Sequence, residues 1–247
     1  MTGRPLQGGR PGFLPIERTP DSRENHNIPT SGKDVLLTSP GGRKAGVHQQ
    51  TMKQYSQACE ENREPILTVI RQAFANTHSV LEIGSGTGQH AVYFARQLPH
   101  LTWQPTDLAE NHASIQAWRE ESGLGNVLSP IDLDVTAGTW PTGVYDGLFS
   151  ANTMHIMSME AVQSLFSGIG NLLQTGAHCC LYGPFNYGGA FTSDSNERFD
   201  SWLKQRDTAS GIRDFEVIAE LADANGFILQ DDSEMPVNNR LLVWQKV

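Results

Sequence analysis

Val80-Leu81-Glu82-Ile83-Gly84-Ser85-Gly86-Thr87-Gly88 decides how the rest of the chain is read. A short apolar run ends in three alternating glycines, and a helix-patterned stretch, Gln89–Leu98, follows until Pro99. A loop of this kind, between a strand and a helix, lets a ligand reach backbone N–H groups with no Cβ in the way. The spacing separates cofactor classes. A dinucleotide fingerprint would set its third glycine at position 89, which is Gln. Glu82 would also put negative charge where a pyrophosphate binds. A ligand with a cationic amino acid end suits it better.

Outward from this loop, apolar periodicity alternates between the two regular types. Strands are expected at Ser79–Gly84, Leu101–Asp107, Val127–Asp134, Tyr145–Asn152, Ala177–Pro184, Phe227–Met235 and Leu241–Val247. Helices are expected at Glu64–Phe74, with Pro65 in the first turn, at Gln89–Leu98, at Asn111–Ser122, from a Ser158 cap to about Leu173, and at Asp214–Asn225. This alternation implies an α/β fold: a doubly wound, mostly parallel sheet of seven strands. The last two strands are joined by five residues, too few for a parallel crossover, so the final strand should run antiparallel. Asn238-Asn239 would make the turn between them. Asp107 closes the second strand, where a carboxylate can accept from both hydroxyls of a ribose, and Asp134 closes the third, where a side chain can face an adenine.

The formal charge of −9 averages two unlike pieces. Residues 1–51 carry eight Gly, six Pro and a net +3, with almost no apolar periodicity, and read as a flexible extension. Residues 52–247 carry −12 and form the domain. An acidic domain is poorly made to grip extended nucleic acid or an anionic membrane. No run approaches 18 apolar residues, so no membrane span is expected. Cys59, Cys179 and Cys180 lack a pairing pattern and read as reduced thiols of a cytoplasmic protein. The eight His show no ligand spacing, so no metal is expected, and no GxSxG elbow offers a hydrolytic nucleophile.

LEIGSGTG resembles the glycine motif of class I S-adenosylmethionine-dependent methyltransferases. A wider set of segments resembles one group of small members, the methyltransferase-like 26 type, also classed as a domain of unknown function. These are SQACEENREPIL (56–67), VLEIGSGTGQHAVYFA (80–95), LTWQPTD (101–107), ANTMHI (151–156), LYGPF (181–185) and EMPVNNRLLVW (234–244). The resemblance implies a Rossmann-like methyltransferase fold, bound S-adenosyl-L-methionine and a small-molecule methyl acceptor. By motif position it puts Gly84, Ser85, Gly86 and Gly88 along the methionine and ribose. Glu82 orients the loop or reaches the amino group, and Asp107 holds the ribose hydroxyls. Asp134 and Val135 flank the adenine, and Asn152 approaches the amino group and methyl.

Three residues carry rival readings. Arg63 could bind the methionine carboxylate or a substrate anion through its fork, or simply pair with Glu60 or Glu64. His155 and Tyr182 could act as a base over the methyl, or pack the structure. The segment 184–213, with Phe185, Tyr187, Phe191, Phe199 and Trp202, reads as a substrate lid with a helix near Asn196–Lys204, or as a packed helix with ordinary aromatics. Two other functions stand against a methyltransferase. One is a non-catalytic S-adenosylmethionine-binding scaffold. The other is a nicotinamide-dependent oxidoreductase, which Gln89 and Glu82 disfavour.

Overall fold

The computed structural model describes residues 53–247, so the expected extension over 1–51 lies outside the described residues. The chain begins with α1 (Gln57–Ala73) and continues with β1 (Ser79–Ile83), α2 (Gln89–Gln97), β2 (Thr102–Asp107), α3 (His112–Ser122), β3 (Ile131–Asp132) and β4 (Gly147–Ala151). Then come α4 (Met159–Leu172), β5 (His178–Gly183), β6 (Phe185–Asn186), α5 (Asp194–Arg206), β7 (Arg213–Asp214), α6 (Phe215–Ala224), β8 (Phe227–Met235) and β9 (Asn239–Lys246). Seven strands form one sheet in the order β3-β2-β1-β4-β5-β9-β8. All are parallel except β9, which runs antiparallel to both β5 and β8. The order reverses between β1 and β4. In doubly wound sheets, ligands bind outside the carboxyl ends of the strands at this switch point.

Two cores account for the layers. On one face α1 and α2 bury Ile66, Ile70, Phe94 and Ala95 against Val80, Trp103 and Val243. On the other, α4 and α6 bury Val162, Leu165, Phe166 and Ile218 against Leu81, Leu148, Cys179 and Leu242. At roughly 1.5–3 kcal/mol for each fully buried large side chain, these faces dominate the stability of the domain.

The structure departs from the sequence expectations, or adds to them, at five places. Helix α1 starts seven residues before Glu64. Ser56 caps it, accepting from the Cys59 N–H at 3.4 Å, and Pro65 sits inside the helix rather than in its first turn. Contacts made by its early residues hold the added turns, as described below. Strand β3 is only Ile131–Asp132, not Val127–Asp134. Val127 still bridges to Trp103, but Pro130, which has no N–H to donate, interrupts the ladder. Asp134 therefore lies two residues beyond the strand. The β3–β4 connection, 133–146, contains no helix, although a doubly wound pattern would put one there; the Trp140 ring instead lies across Gly168 of α4. The β8–β9 turn centres on Val237 and Asn238, both at positive φ, with Asn239 already in the strand and paired to Met235. Within 184–213 the expected helix is α5, and β6 pairs with β7 in a separate two-stranded sheet.

Candidate functional site

The glycine loop lies at the carboxyl end of β1. Gly84, Gly86 and Gly88 have φ of 71°, 55° and 92°, a region that side chains with a Cβ occupy at a cost. Their surroundings differ. A Cβ on Gly84 would stand 2.7 Å from Thr153 Oγ1, and one on Gly88 would stand 2.8 Å from the Ile115 Cα, so these two glycines permit close packing. A Cβ on Gly86 would meet nothing within 4 Å. Gly86 therefore borders open space, as a ligand cradle requires.

Two carboxylates brace this loop from different sides. Glu82 is 2% exposed, and its Oε2 accepts from Ser85 Oγ at 2.8 Å and from Trp103 Nε1 at 3.0 Å. Burial raises its carboxyl from 4.5 to about 7; those two hydrogen bonds oppose the rise, and the Asp107 charge adds to it. Glu82 thus supports the loop from behind, bonded to the loop's own Ser85. Asp107 ends β2 and faces the front. Its Oδ2 accepts from the Gly86 N–H at 2.6 Å, and its Oδ1 accepts from the Leu108 N–H and Asn111 Nδ2, each at 2.8 Å. A partly exposed carboxylate bonded to the loop backbone can exchange such contacts for ligand hydroxyls.

Helix α1 is fastened to this loop. Gln89 Oε1 accepts from the Ser56 N–H at 2.5 Å and from Thr87 Oγ1 at 3.1 Å. Further along, His90 Nε2 bonds to Asn62 Oδ1 at 2.7 Å, and the Asn62 amide also reaches the Tyr182 hydroxyl. Asn239 Nδ2 donates to that same hydroxyl at 3.0 Å. The result is a polar chain, His90–Asn62–Tyr182–Asn239, buried except at Asn239, that joins α2, α1, β5 and β9. Burial pushes the His90 imidazole down to about 4, helped by the Arg63 charge, and pushes the Tyr182 hydroxyl up against the two amide donors.

At the end of β4, Asn152 adopts φ 57° and donates its N–H to the Tyr182 carbonyl at 2.8 Å. His155 is 4% exposed, with its ring edge-on to Phe199 of α5 at 5.2 Å. His155 Nδ1 and Asn152 Oδ1 both look at Gly183, 3.7 and 4.0 Å from where a Cβ on that residue would stand. Burial, then the Arg213 charge, holds the His155 imidazole down at about 4. The segment after α5 is strapped to the same loop. The Gly211 N–H donates to the His155 carbonyl at 2.9 Å, Ser210 Oγ to the Ile156 carbonyl at 2.8 Å, and the Arg213 guanidinium to the carbonyls of Met154, Met157 and Ala209. At its other end α5 bonds to the β8–β9 turn, through Asn196 Nδ2 to the Asn238 carbonyl at 3.2 Å.

The structure thus gathers Glu82, Gly84, Ser85, Gly86, Gly88 and Asp107 at the carboxyl end of β1 and β2, and Asn152, His155 and Tyr182 at that of β4 and β5. Three other expected residues stand in different relations. Arg63 pairs with Glu60 and lies over the Tyr93 ring at 4.7 Å; its Nε is buried without a partner. The exposed Asp134 accepts from the Thr136 N–H and Oγ1 at 2.8 and 2.7 Å, which holds its carboxyl below the usual range. Val135 is buried and lines a groove of about 660 Å³ between the 134–140 loop and α4. Sequence reading did not single out His90; it used Gln89 only against a dinucleotide fingerprint, placed Asn239 in the turn before the last strand, and took Asn62 only as the neighbour of Arg63 in the 56–67 segment. The available signal was a polar residue on an otherwise apolar helix face, as at Asn62 one turn before Ile66. Among the described residues no three His, Cys, Asp or Glu cluster in a way that could hold a metal. No described helix is long and apolar enough to cross a membrane.

With strand order, glycine loop and carboxylates in place, the fold is that of Rossmann-like methyltransferases. An O-methyltransferase family protein from Burkholderia thailandensis superimposes with a TM-score of 0.67 at 16% identity, over 74% of this chain and 55% of that one. Human N-acetylserotonin methyltransferase, solved with S-adenosylmethionine, gives 0.64 at 13% identity, over 77% and 53%. PigF, solved with S-adenosylhomocysteine, gives 0.64 at 17% identity, over 76% and 56%. This chain therefore spans about half the length of these structures. By sequence it belongs to the family of proteins of unknown function termed DUF938, whose profile matches residues 53–246.

Proposed function

We propose that the protein is an S-adenosyl-L-methionine-dependent methyltransferase acting on a small-molecule acceptor in the cytoplasm. The observation that carries this reading is the pairing of an open Gly86 with the Asp107 carboxylate 2.6 Å from its N–H. That pairing puts backbone donors and a hydroxyl acceptor side by side at the switch point, which fits a ribose with a small charged tail. The solved neighbours with this cofactor or its demethylated product support it. The quoted sequence motifs keep the likeness to the methyltransferase-like 26 type as the finer assignment within DUF938.

When bound, the cofactor supplies a methyl group already activated by a sulfonium. The protein's task is then alignment and exclusion of water. Gly84, Ser85, Gly86 and Gly88 offer the backbone cradle. Asp107 exchanges its Gly86 contact for ribose hydroxyls. Glu82 fixes the loop through Ser85. Asn152, Asp134 and Val135 complete the adenine and methyl ends, and Arg63 reaches the carboxylate by leaving Glu60. His155 and Tyr182 border the acceptor, under a lid formed by 184–213. The methyltransferase domain comprises residues 52–247. The acceptor approaches as a free small molecule, without extended nucleic acid or a membrane.

Calorimetry with S-adenosylhomocysteine tests the reading. The wild-type chain binds, and Asp107→Ala weakens binding by ~1–3 kcal/mol, since ribose hydroxyls then lack an acceptor. Unchanged affinity in that variant removes Asp107 from the site. Binding of NAD without S-adenosylhomocysteine overturns the assignment. Turnover distinguishes an enzyme from a binding scaffold, and a methyl-labelled product from a metabolite extract supplies that distinction.

A further inference from the structure

Among the described residues three buried side-chain atoms have no hydrogen-bond partner: Arg63 Nε, Trp244 Nε1 and Asn186 Oδ1. Arg63 belongs to the cofactor reading above. Trp244 stands opposite Cys179, near the amino end of β5, and so is remote from the ligand-binding edge. Asn186 is at that edge. It follows Gly183, the last residue of β5, by three residues, lies in β6, and is 7% exposed. Its frame is fixed by other residues. The β6 backbone pairs with β7, Asn186 opposite Asp214. Phe185 before it is fully buried, and Tyr187 after it stacks on Phe215 at 5.1 Å and donates to Asp232 at 2.8 Å. Both neighbours pack on the core beneath α4 and α6. Successive side chains of an extended strand point to opposite faces, so the Asn186 amide is turned away from that core.

A buried acceptor without a donor costs free energy that an apolar side chain of the same shape would not. The fold makes no use of this oxygen, yet holds it in place. The same segment begins at a gap. A Cβ on Gly183 would come no nearer than 3.7 Å to anything beyond its chain neighbours, and the polar atoms facing it are His155 Nδ1 and Asn152 Oδ1. Residues 183–186 thus run from a polar-lined space at the end of β5 to an unspent amide. Resting on the methyltransferase reading above, we infer that Asn186 determines acceptor specificity: its Oδ1 takes a hydrogen bond from an N–H or O–H group that the methyl acceptor carries in addition to the atom methylated. The acceptor class is therefore a small amine, amide or hydroxyl compound with such a second donor. A molecule lacking it leaves the oxygen unpaired in the complex, which is how a site built around a hydrogen bond rejects an analogue. The cofactor contacts around Gly86 and Asp107 lie on other segments, so cofactor affinity and acceptor choice are separable.

The test uses the full chain, methyl-labelled S-adenosylmethionine and a small-metabolite extract as the source of acceptors. It compares the wild type with Asn186→Leu, which removes the oxygen, and Asn186→Asp, which keeps one. Asn186→Leu melts at or above the wild type, because no hydrogen bond of the fold is lost, and binds S-adenosylhomocysteine as the wild type does. Its labelling of the wild-type products falls at least ~10-fold, while Asn186→Asp still labels them. Each labelled product bears an N–H or O–H group besides the methylated atom. A Tm for Asn186→Leu lower by ~3 °C or more shows that the fold itself uses the amide, and overturns the inference. Undiminished labelling by Asn186→Leu overturns it too, as do loss of labelling in an Asn186→Asp variant that binds S-adenosylhomocysteine and a product with no second donor. No labelling by a wild type that binds S-adenosylhomocysteine also counts against it. Failure of that binding strikes instead at the methyltransferase reading itself.

Discussion

Replacing Glu82 by Gln should change how stability depends on pH more than it changes stability at any one pH. The folded carboxyl titrates at about 7 against an ordinary value of 4.5, chiefly because burial disfavours its charge. At 1.36 kcal/mol per pKa unit, this corresponds to about 3 kcal/mol. The folded-state value is raised, so the folded state retains a proton that the unfolded chain has released. The associated stability is complete below pH 4.5 and is lost as pH rises through 7. Both hydrogen bonds to Glu82 arrive at Oε2, so the Gln oxygen can accept both in the same position. The buried NH₂ group then costs about 1–3 kcal/mol where it lacks an acceptor, and that cost does not depend on pH. Urea unfolding of both proteins from pH 4.5 to 8 isolates the titration, because the histidines contribute equally to each. The variant should gain about 3 kcal/mol on the wild type across this range, in the direction of higher pH. Parallel profiles would show that Glu82 is ionised in the fold at all these pH values, and the account of its burial would be wrong.

The two buried histidines act in the opposite sense. His90 and His155 are each lowered from 6.5 to about 4, so stability rises with pH through that window and falls on acidification. His90→Gln and His155→Asn should each flatten the acid limb by up to about 3 kcal/mol between pH 6.5 and 4, read by denaturant titration; an unaltered limb refutes the burial argument. Gly86→Ala should cost only about 1 kcal/mol, the expense of φ 55° with a Cβ, yet weaken S-adenosylhomocysteine binding in calorimetry; intact binding would place the ligand elsewhere. Gly88→Ala adds a contact at 2.8 Å from the Ile115 backbone to the same strain, and should lower Tm more than Gly86→Ala does. In Gly168→Ala the new Cβ would overlap the Trp140 ring, so that indole must leave α4; a red shift in tryptophan emission reports the move.

How far the sequence could be read depended on the range of the interactions. The glycine loop, the Ser158 cap and the antiparallel β9 follow from neighbours within a few residues or from connection length, and they were legible. The truncation of β3 turned on Pro130, a local signal that the apolar run of 127–134 concealed. The chain His90–Asn62–Tyr182–Asn239 is different. Its members come from four elements, and no local pattern requires Asn62 to meet a tyrosine of β5. The end of Arg63 in an ion pair with Glu60, at i and i+3 on α1, was foreseen as one of two readings because helical spacing alone permits it.

The helix-free link between β3 and β4 has a consequence for how this protein could be altered. β4 is held on both sides, by β1 and by β5, through Gly147–Phe149. The exposed stretch Thr136–Thr139 can therefore change length without moving the strand register. An inserted peptide there would hang on the flank of the sheet, anchored by the indole on Gly168, and leave the glycine loop in place. This makes 136–139 the natural point for attaching a label or a tether to the domain.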